Sequence, residues 1–214
     1  MPRHPKVPTP SLNRLPLYYR YLLEAKEQRL TVVSSEMLGD AAGVPAAQVR
    51  KDLGYLGEFG RPGIGYDVEE MKRRLSEELG LVVQRDVIVV GAGRLGSAIS
   101  AYPGFAAYSL RIVALFDNAP GKIGTRVGSL EVLDTADLPS FISKHSIQIA
   151  IITVPAVAAQ RVAEELVAAG IIAIWNFAPV KLELPSHIVV SNEDLAARLA
   201  TLSFRLTHLK RNAE

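Results

Sequence analysis

The sequence predicts an α/β protein in two parts: a helical N-terminal domain, then an open parallel sheet with helices on both faces. Up to about residue 80 the apolar residues recur at helical spacing. Beyond it, short runs rich in Ile and Val alternate with helical stretches, the pattern of βαβ units. At the first of these strand-to-helix junctions, "VGAGRLGS" (90–97) carries three spaced glycines.

The bulk properties set outer bounds. A chain of 214 residues, 49% hydrophobic, can bury one large core or two small ones. Its longest apolar stretches are broken by Pro or polar residues well before the roughly 18 residues that a membrane span requires, so no membrane segment is expected. "MPRHPKVPTPS" is Pro-rich and basic without an apolar core, and it reads as a disordered arm rather than a signal peptide. A cytoplasmic location is the default. The absence of cysteine excludes disulfides, CxxC metal sites and thiol sensing, and no metal is expected. A net charge of +2 excludes indiscriminate coating of nucleic acid; residues 1–61 hold nine Lys or Arg against six Asp or Glu, so DNA binding must come from local placement.

In chain order, "LPLYYRYLLEAKEQ" is the first long helix. In "SSEMLGDAAGVPAAQVRKDLGYL" a Ser cap opens a short helix, "AGV" turns the chain, and Pro45 starts a second helix, as helix-turn-helix geometry requires. This second helix carries Gln48, Arg50, Lys51 and Tyr55. Gln48, Lys51 and Tyr55 recur at steps of three and four, share a face, and can reach base edges or phosphates; a solvated helix face has the same pattern. "GEFGRPGIGYDV" then sets four glycines around Arg61 and Pro62 before an alternating "IGYDV", a composition suited to a tight hairpin. A basic hairpin tip beside a recognition helix can enter the minor groove while the helix fills the major groove. Residues 1–80, closed by the helical "EEMKRRLSEELG", therefore read as a winged helix-turn-helix domain with DNA as its partner.

Past Gly80, "DVIVVGAG", "LRIVALFD", "IQIAIITVP", "IIAIWNFAP" and "HIVVS" read as buried strands, with helices at 94–101, about 135–145 and 156–169. Residues 81–190 thus form a Rossmann-like parallel sheet domain. In its first loop, Gly91, Ala92, Gly93, Arg94, Leu95 and Gly96 form G-x-G-x-x-G. Gly91 permits the tight turn, Gly93 lets backbone approach a pyrophosphate, and Gly96 lets helix pack on strand. Arg94 can reach a phosphate. Asp117, ending the second strand, is placed to accept hydrogen bonds from both hydroxyls of the adenine ribose and to repel a 2′-phosphate, which favours NAD(H) over NADP(H). Coenzyme A domains use similar loops on similar sheets. Thr153, Val154 and Pro155, and Asn176, Ala178 and Pro179, end predicted strands where ligands sit in such sheets; Pro can equally serve only to stop a strand.

The tail "SNEDLAARLATLSFRLTHLKR" (191–211) opens with Ser191 and Asp194 in a capping pattern. Leu195, Leu199, Leu202, Leu206 and Leu209 then form one stripe, which suits packing on another subunit or on the chain's own sheet. An enzyme would need an acid or base beside the nicotinamide. None of His4, His145, His187 and His208 is paired with an acid or set at the carboxyl end of a strand, and Lys181 and Glu183 flank a loop that reads as a solvated edge. No catalytic residue is assigned; a small NAD-dependent oxidoreductase and a coenzyme A-binding regulator remain the alternatives.

Over nearly its whole length the chain resembles the Rex family of bacterial redox-sensing transcriptional repressors, through "RLPLYYRYL" (14–22), residues 34–68, "VGAGRLGSAI" (90–99), "TVP" and "NFAPV". The resemblance implies a homodimer that binds palindromic operator DNA and is released when NADH rises relative to NAD⁺. It also implies a C-terminal helix, within 191–214, exchanged between subunits. By position, Tyr102 resembles the family's tyrosine near the nicotinamide, and Asp194 the acid that pairs with an Arg of the DNA-binding domain, for which Arg20 is the match. Leu195 stands where relatives can carry an aromatic beside the nicotinamide. Pro103, Phe105 and the tail helix would wall the pocket against a cationic ring.

Overall fold

The computed structural model describes residues 7–57, 60–61 and 63–211, with side chains described to residue 209. His4, with the start of the expected arm, lies outside the described residues, as do Pro62 and its neighbours 58 and 59 in the expected hairpin. The chain divides into two compact units between Val83 and Gln84, just past the expected Gly80.

The first unit contains α1 (Thr9–Leu12), α2 (Leu15–Glu27), β1 (Val32–Val33), α3 (Ser35–Ala42), α4 (Ala46–Gly54), β2 (Tyr66–Asp67) and α5 (Val68–Glu78). Apolar residues at helical spacing meet in its centre: Leu15, Tyr18 and Leu22 of α2, Leu38 of α3, Val49 and Leu53 of α4, and Met71 and Leu75 of α5 are all buried. The Ser34 hydroxyl caps α3 by accepting from the Met37 N–H at 3.2 Å. At the other end of α3 Gly43, at φ +68°, takes the left-handed cap that a side chain would resist. The Pro-rich reading carried the arm through Ser11, but Thr9–Leu12 forms a helical turn and Ser11 is buried. β2 pairs antiparallel with β1, and within the segment expected as the hairpin the Arg61 N–H donates to the Gly65 carbonyl at 2.9 Å.

In the second unit the elements are β3 (Arg85–Val90), α6 (Arg94–Ser100), a 3-10 helix (Pro103–Tyr108), β4 (Leu110–Asp117), β5 (Arg126–Val127), β6 (Leu130–Asp134), α7 (Leu138–His145), β7 (Ile149–Ile152), α8 (Ala156–Ala168), β8 (Ala173–Asn176), β9 (Val189–Asn192) and α9 (Leu195–Arg211). The sheet order is β5-β6-β4-β3-β7-β8-β9, parallel except for β5 against β6. Strand alternation splits its core: Ile88, Val90, Phe116 and Ile152 face Ile142 of α7 and Leu166 of α8. Val87, Val89, Leu115 and Ile151 face the other way, towards Ile99 of α6, with Trp175 and Phe177 only half-buried beside them. The sheet reverses direction of growth between β3 and β7, which sets a crevice at their carboxyl ends.

The expected cap at Ser191 is corrected. Ser191 pairs with Trp175 inside β9, and Asp194 is the cap, its Oδ1 accepting from the Ala197 N–H at 2.9 Å. Of the two destinations open to the leucine stripe, its own sheet is not taken: Leu195, Leu199, Leu202, Leu206 and Leu209 are 56–69% exposed.

Candidate functional site

The glycine loop sits at the switch point of the sheet. Gly91 has φ +110° and donates its N–H to the Phe116 carbonyl at 2.8 Å, while the Thr153 hydroxyl donates to the Gly91 carbonyl at 2.8 Å. A Cβ on Gly91 would lie 2.9 Å from the Thr153 backbone, and one on Gly96 would strike the Gly91 carbonyl oxygen and come within 2.6 Å of Thr153 Oγ1. Thr153 therefore holds the loop from below. A Cβ on Gly93 would meet nothing within 4 Å, so the upper side of the loop is open. That open backbone surface at the start of α6, with exposed Arg94 as the first helical residue, suits a pyrophosphate.

Asp117 is 7% exposed and is already engaged. Its Oδ2 accepts from the Ala92 N–H at 2.8 Å and from Lys122 Nζ at 2.8 Å, and its Oδ1 from the Ala119 N–H at 2.9 Å. Burial pushes this carboxyl up, but Lys122 and the two backbone donors outweigh it and hold the group below the usual carboxylate range. The acid thus pins the glycine loop to the end of β4.

On the far side of the crevice an aromatic series descends to the sheet. Tyr102 meets Phe105 edge-on at 5.2 Å, Phe105 meets Trp175 at 6.3 Å, and Trp175 meets Phe177 at 4.5 Å between ring centroids. Tyr102 is 60% exposed at its outer end. The sequence marks Trp175 and Phe177 only as part of a strand segment; their place at the carboxyl end of β8 is the signal that brings them to the crevice. Asn176 is fully buried, and its amide shapes the loop: Nδ2 donates to the Ala178 and Val180 carbonyls and to Asn192 Oδ1, while Oδ1 accepts from the Ala178 N–H. These bonds occupy it internally and leave Pro179 exposed on the loop; Val154 is half-buried, and exposed Pro155 caps α8.

In the first unit α4 does not present the face that spacing suggested. Its exposed residues are Ala47, Arg50, Lys51 and Gly54, whereas Gln48 and Tyr55 are half-buried. Gln48 Nε2 donates to Asp52 Oδ1 at 2.8 Å. The fully buried Asp52 also accepts from Arg14 Nε and Nη2 at 2.6 and 2.8 Å and from the Tyr18 hydroxyl at 2.7 Å. Burial alone would raise its pKa, but Arg14, Tyr18, Gln48 and Ser11 hold it far below the usual carboxylate range. Burial and the Asp52 bond push the Tyr18 hydroxyl well up. This network, unread from the sequence, fixes α4 to α2. Arg50 Nη1 donates to Ser35 Oγ at 2.8 Å. With Arg61, Ser34 and Tyr66 it lines an open groove of about 730 Å³ between α4 and the turn after it.

The two residues expected to pair across domains have partners in their own units. Arg20 on α2 lies 3.9 Å from Glu24, and Asp194 caps α9. Among the described residues no cluster of three or more His, Cys, Asp or Glu could hold a metal ion, and no helix is long and apolar enough to cross a membrane. His145 packs at a tilt against Phe141, and His208 meets Phe204 edge-on.

Comparison with known proteins places these sites in context. Residues 83–180 match the family model "CoA binding domain", and residues 6–54 match "Putative DNA-binding protein N-terminus". The redox-sensing transcriptional repressor Rex of Chloroflexus aggregans is 44% identical over 96% of this chain and 97% of its own. That of Pelotomaculum thermopropionicum is 42% identical over 97% and 98%. Among solved structures, RSP in complex with β-NAD⁺ and operator DNA superposes with a TM-score of 0.89 at 37% identity, covering 98% of this chain and 96% of that one. RSP in complex with β-NADH gives 0.85 at 36% identity, over 98% and 100%.

Proposed function

This chain belongs to the Rex family of redox-sensing transcriptional repressors, and we propose that it binds palindromic operator DNA as a dimer and leaves it as NADH rises relative to NAD⁺. The likeness over nearly the whole chain to RSP, a Rex-family repressor solved with β-NADH and with β-NAD⁺ and operator DNA, carries this reading. The protein is a cytoplasmic regulator and not an enzyme; NADH and NAD⁺ supply only a difference of charge and ring planarity.

Residues 81–190 are the NAD(H)-binding domain. The backbone of Gly91–Gly96 takes the pyrophosphate with Ala92, Arg94 and Leu95, and Asp117 takes the adenine ribose. Thr153, Val154, Pro155, Ala178 and Pro179 line the other half, with Asn176 holding that loop in shape. Tyr102, Phe105, Trp175 and Phe177 build an apolar wall on the nicotinamide side. Such a wall disfavours a positive ring without a counter-ion and accepts a neutral one.

Residues 1–80 are the DNA-binding domain. Arg50 and Lys51, exposed on α4, and Arg61 at the turn contact DNA. Tyr55 stands at the end of α4, and Gln48 serves chiefly by bracing it through Asp52. The α9 seam in 191–214 joins two subunits, and two-fold symmetry fits a palindrome. Arg20 and Asp194 form the switch pair in one of two global arrangements.

A gel shift on palindromic, A·T-rich DNA at fixed salt tests the reading. NADH releases the DNA, whereas NAD⁺ and coenzyme A do not. Release by coenzyme A alone would move the assignment to the function named by the matched family model.

A further inference from the structure

Asp117 has less room for a ribose than an unpaired carboxylate would. A carboxylate offers about four acceptor positions, and Ala92, Ala119 and Lys122 fill three of them. About one remains, on Oδ1, where a single ribose hydroxyl can donate. The second hydroxyl therefore needs another partner, unless Lys122 withdraws. Withdrawal would leave a carboxylate that is only 7% exposed without its counter-ion, a costly state. Lys122 need not withdraw. Its side chain is 44% exposed, and of the three donors on its ammonium only the one aimed at Asp117 is engaged among the described hydrogen bonds. The turn that carries it is fixed at both ends, by the Lys122 N–H on the Ala119 carbonyl at 2.9 Å and by the Gly124 N–H on the Val132 carbonyl at 2.8 Å.

We propose that Lys122 is a second reader of the adenine ribose: one hydroxyl donates to Asp117 and the other accepts from Lys122, and the resulting neutral pair lessens the rejection of a 2′-phosphate. This rests on the nucleotide-binding reading above. It revises the expectation drawn from Asp117 alone, because a phosphate approaching this edge meets an ion pair and a free ammonium donor and not a lone negative charge.

The test measures NADH and NADPH binding to the full-length protein, using dinucleotide fluorescence, for the native chain, Lys122→Met and Lys122→Arg. The Met variant keeps the length of the stem and removes charge and donors. It weakens NADH by about threefold to tenfold, the worth of one hydrogen bond. It weakens NADPH by about a further tenfold, a charge effect reduced by solvent at a partly exposed site. Lys122→Arg restores the native NADPH/NADH ratio. Unchanged affinities in Lys122→Met would mean that the ammonium swings away on binding, and an equal loss for both ligands would mean that Lys122 only supports Asp117; either overturns the proposal. Failure of the native protein to bind NADH would instead overturn the underlying reading.

Discussion

Replacing Asp52 by Ala removes the acceptor that holds α4 on α2. It strands the Arg14 guanidinium and leaves the Tyr18 hydroxyl and the Gln48 amide to find other partners. Breaking a buried ion pair from one side costs about 3–5 kcal/mol. The Arg14 side chain is 19% exposed and regains some water, so the lower end, about 3 kcal/mol, applies here. The full-length protein carries its own internal reference, because Trp175, its one tryptophan, lies in the second unit. In urea, the far-UV circular dichroism of Asp52→Ala shows an earlier loss of helix, while the Trp175 fluorescence transition stays in place. The pH dependence has a definite sign. The folded pKa of Asp52 is depressed, so its contribution is complete above the ordinary carboxyl range near 4 and declines as pH falls from there towards the folded value. The variant loses that part of the acid sensitivity. Coincident curves for both proteins at neutral pH would refute the reasoning, and an equal shift of the Trp175 transition would show that the second unit unfolds together with the first.

Two further substitutions separate the two sites. Lys51→Ala weakens operator binding, lowers the slope of log affinity against log salt by about one, and leaves NADH affinity unchanged; an unaltered slope would remove Lys51 from the phosphate contacts. Gly96→Ala drives a methyl into the Gly91 carbonyl and the Thr153 hydroxyl, so NADH binding fails while the protein still holds DNA. Normal release of that variant by NADH would show that the loop is not the cofactor cradle.

Long-range consequences of a pattern were harder to read than the pattern. β4 was legible over its full span, residues 110–117, because a strand covered on both faces is a continuous apolar run. β5 and β6 escaped: "RVGSLEVLD" mixes charge and glycine with few apolar residues, and only Val132 of the pair is fully buried. Spacing placed Gln48 with Lys51, but whether a polar helix residue faces solvent depends on its partner, and Asp52 drew Gln48 inward. The pairing of Arg14 with Asp52 spans 38 positions and leaves no local signature. The glycines were readable because their roles depend on immediate neighbours, whereas Lys122 gains meaning only once the turn after β4 brings it back onto Asp117.

The central claim is that reduced dinucleotide and operator bind the same dimer against one another, which linkage makes reciprocal. NADH titrations of the full-length protein, with and without saturating operator at one salt concentration, measure it directly. Operator should weaken NADH binding by the same factor by which NADH weakens operator binding. Superimposable titration curves would contradict the account.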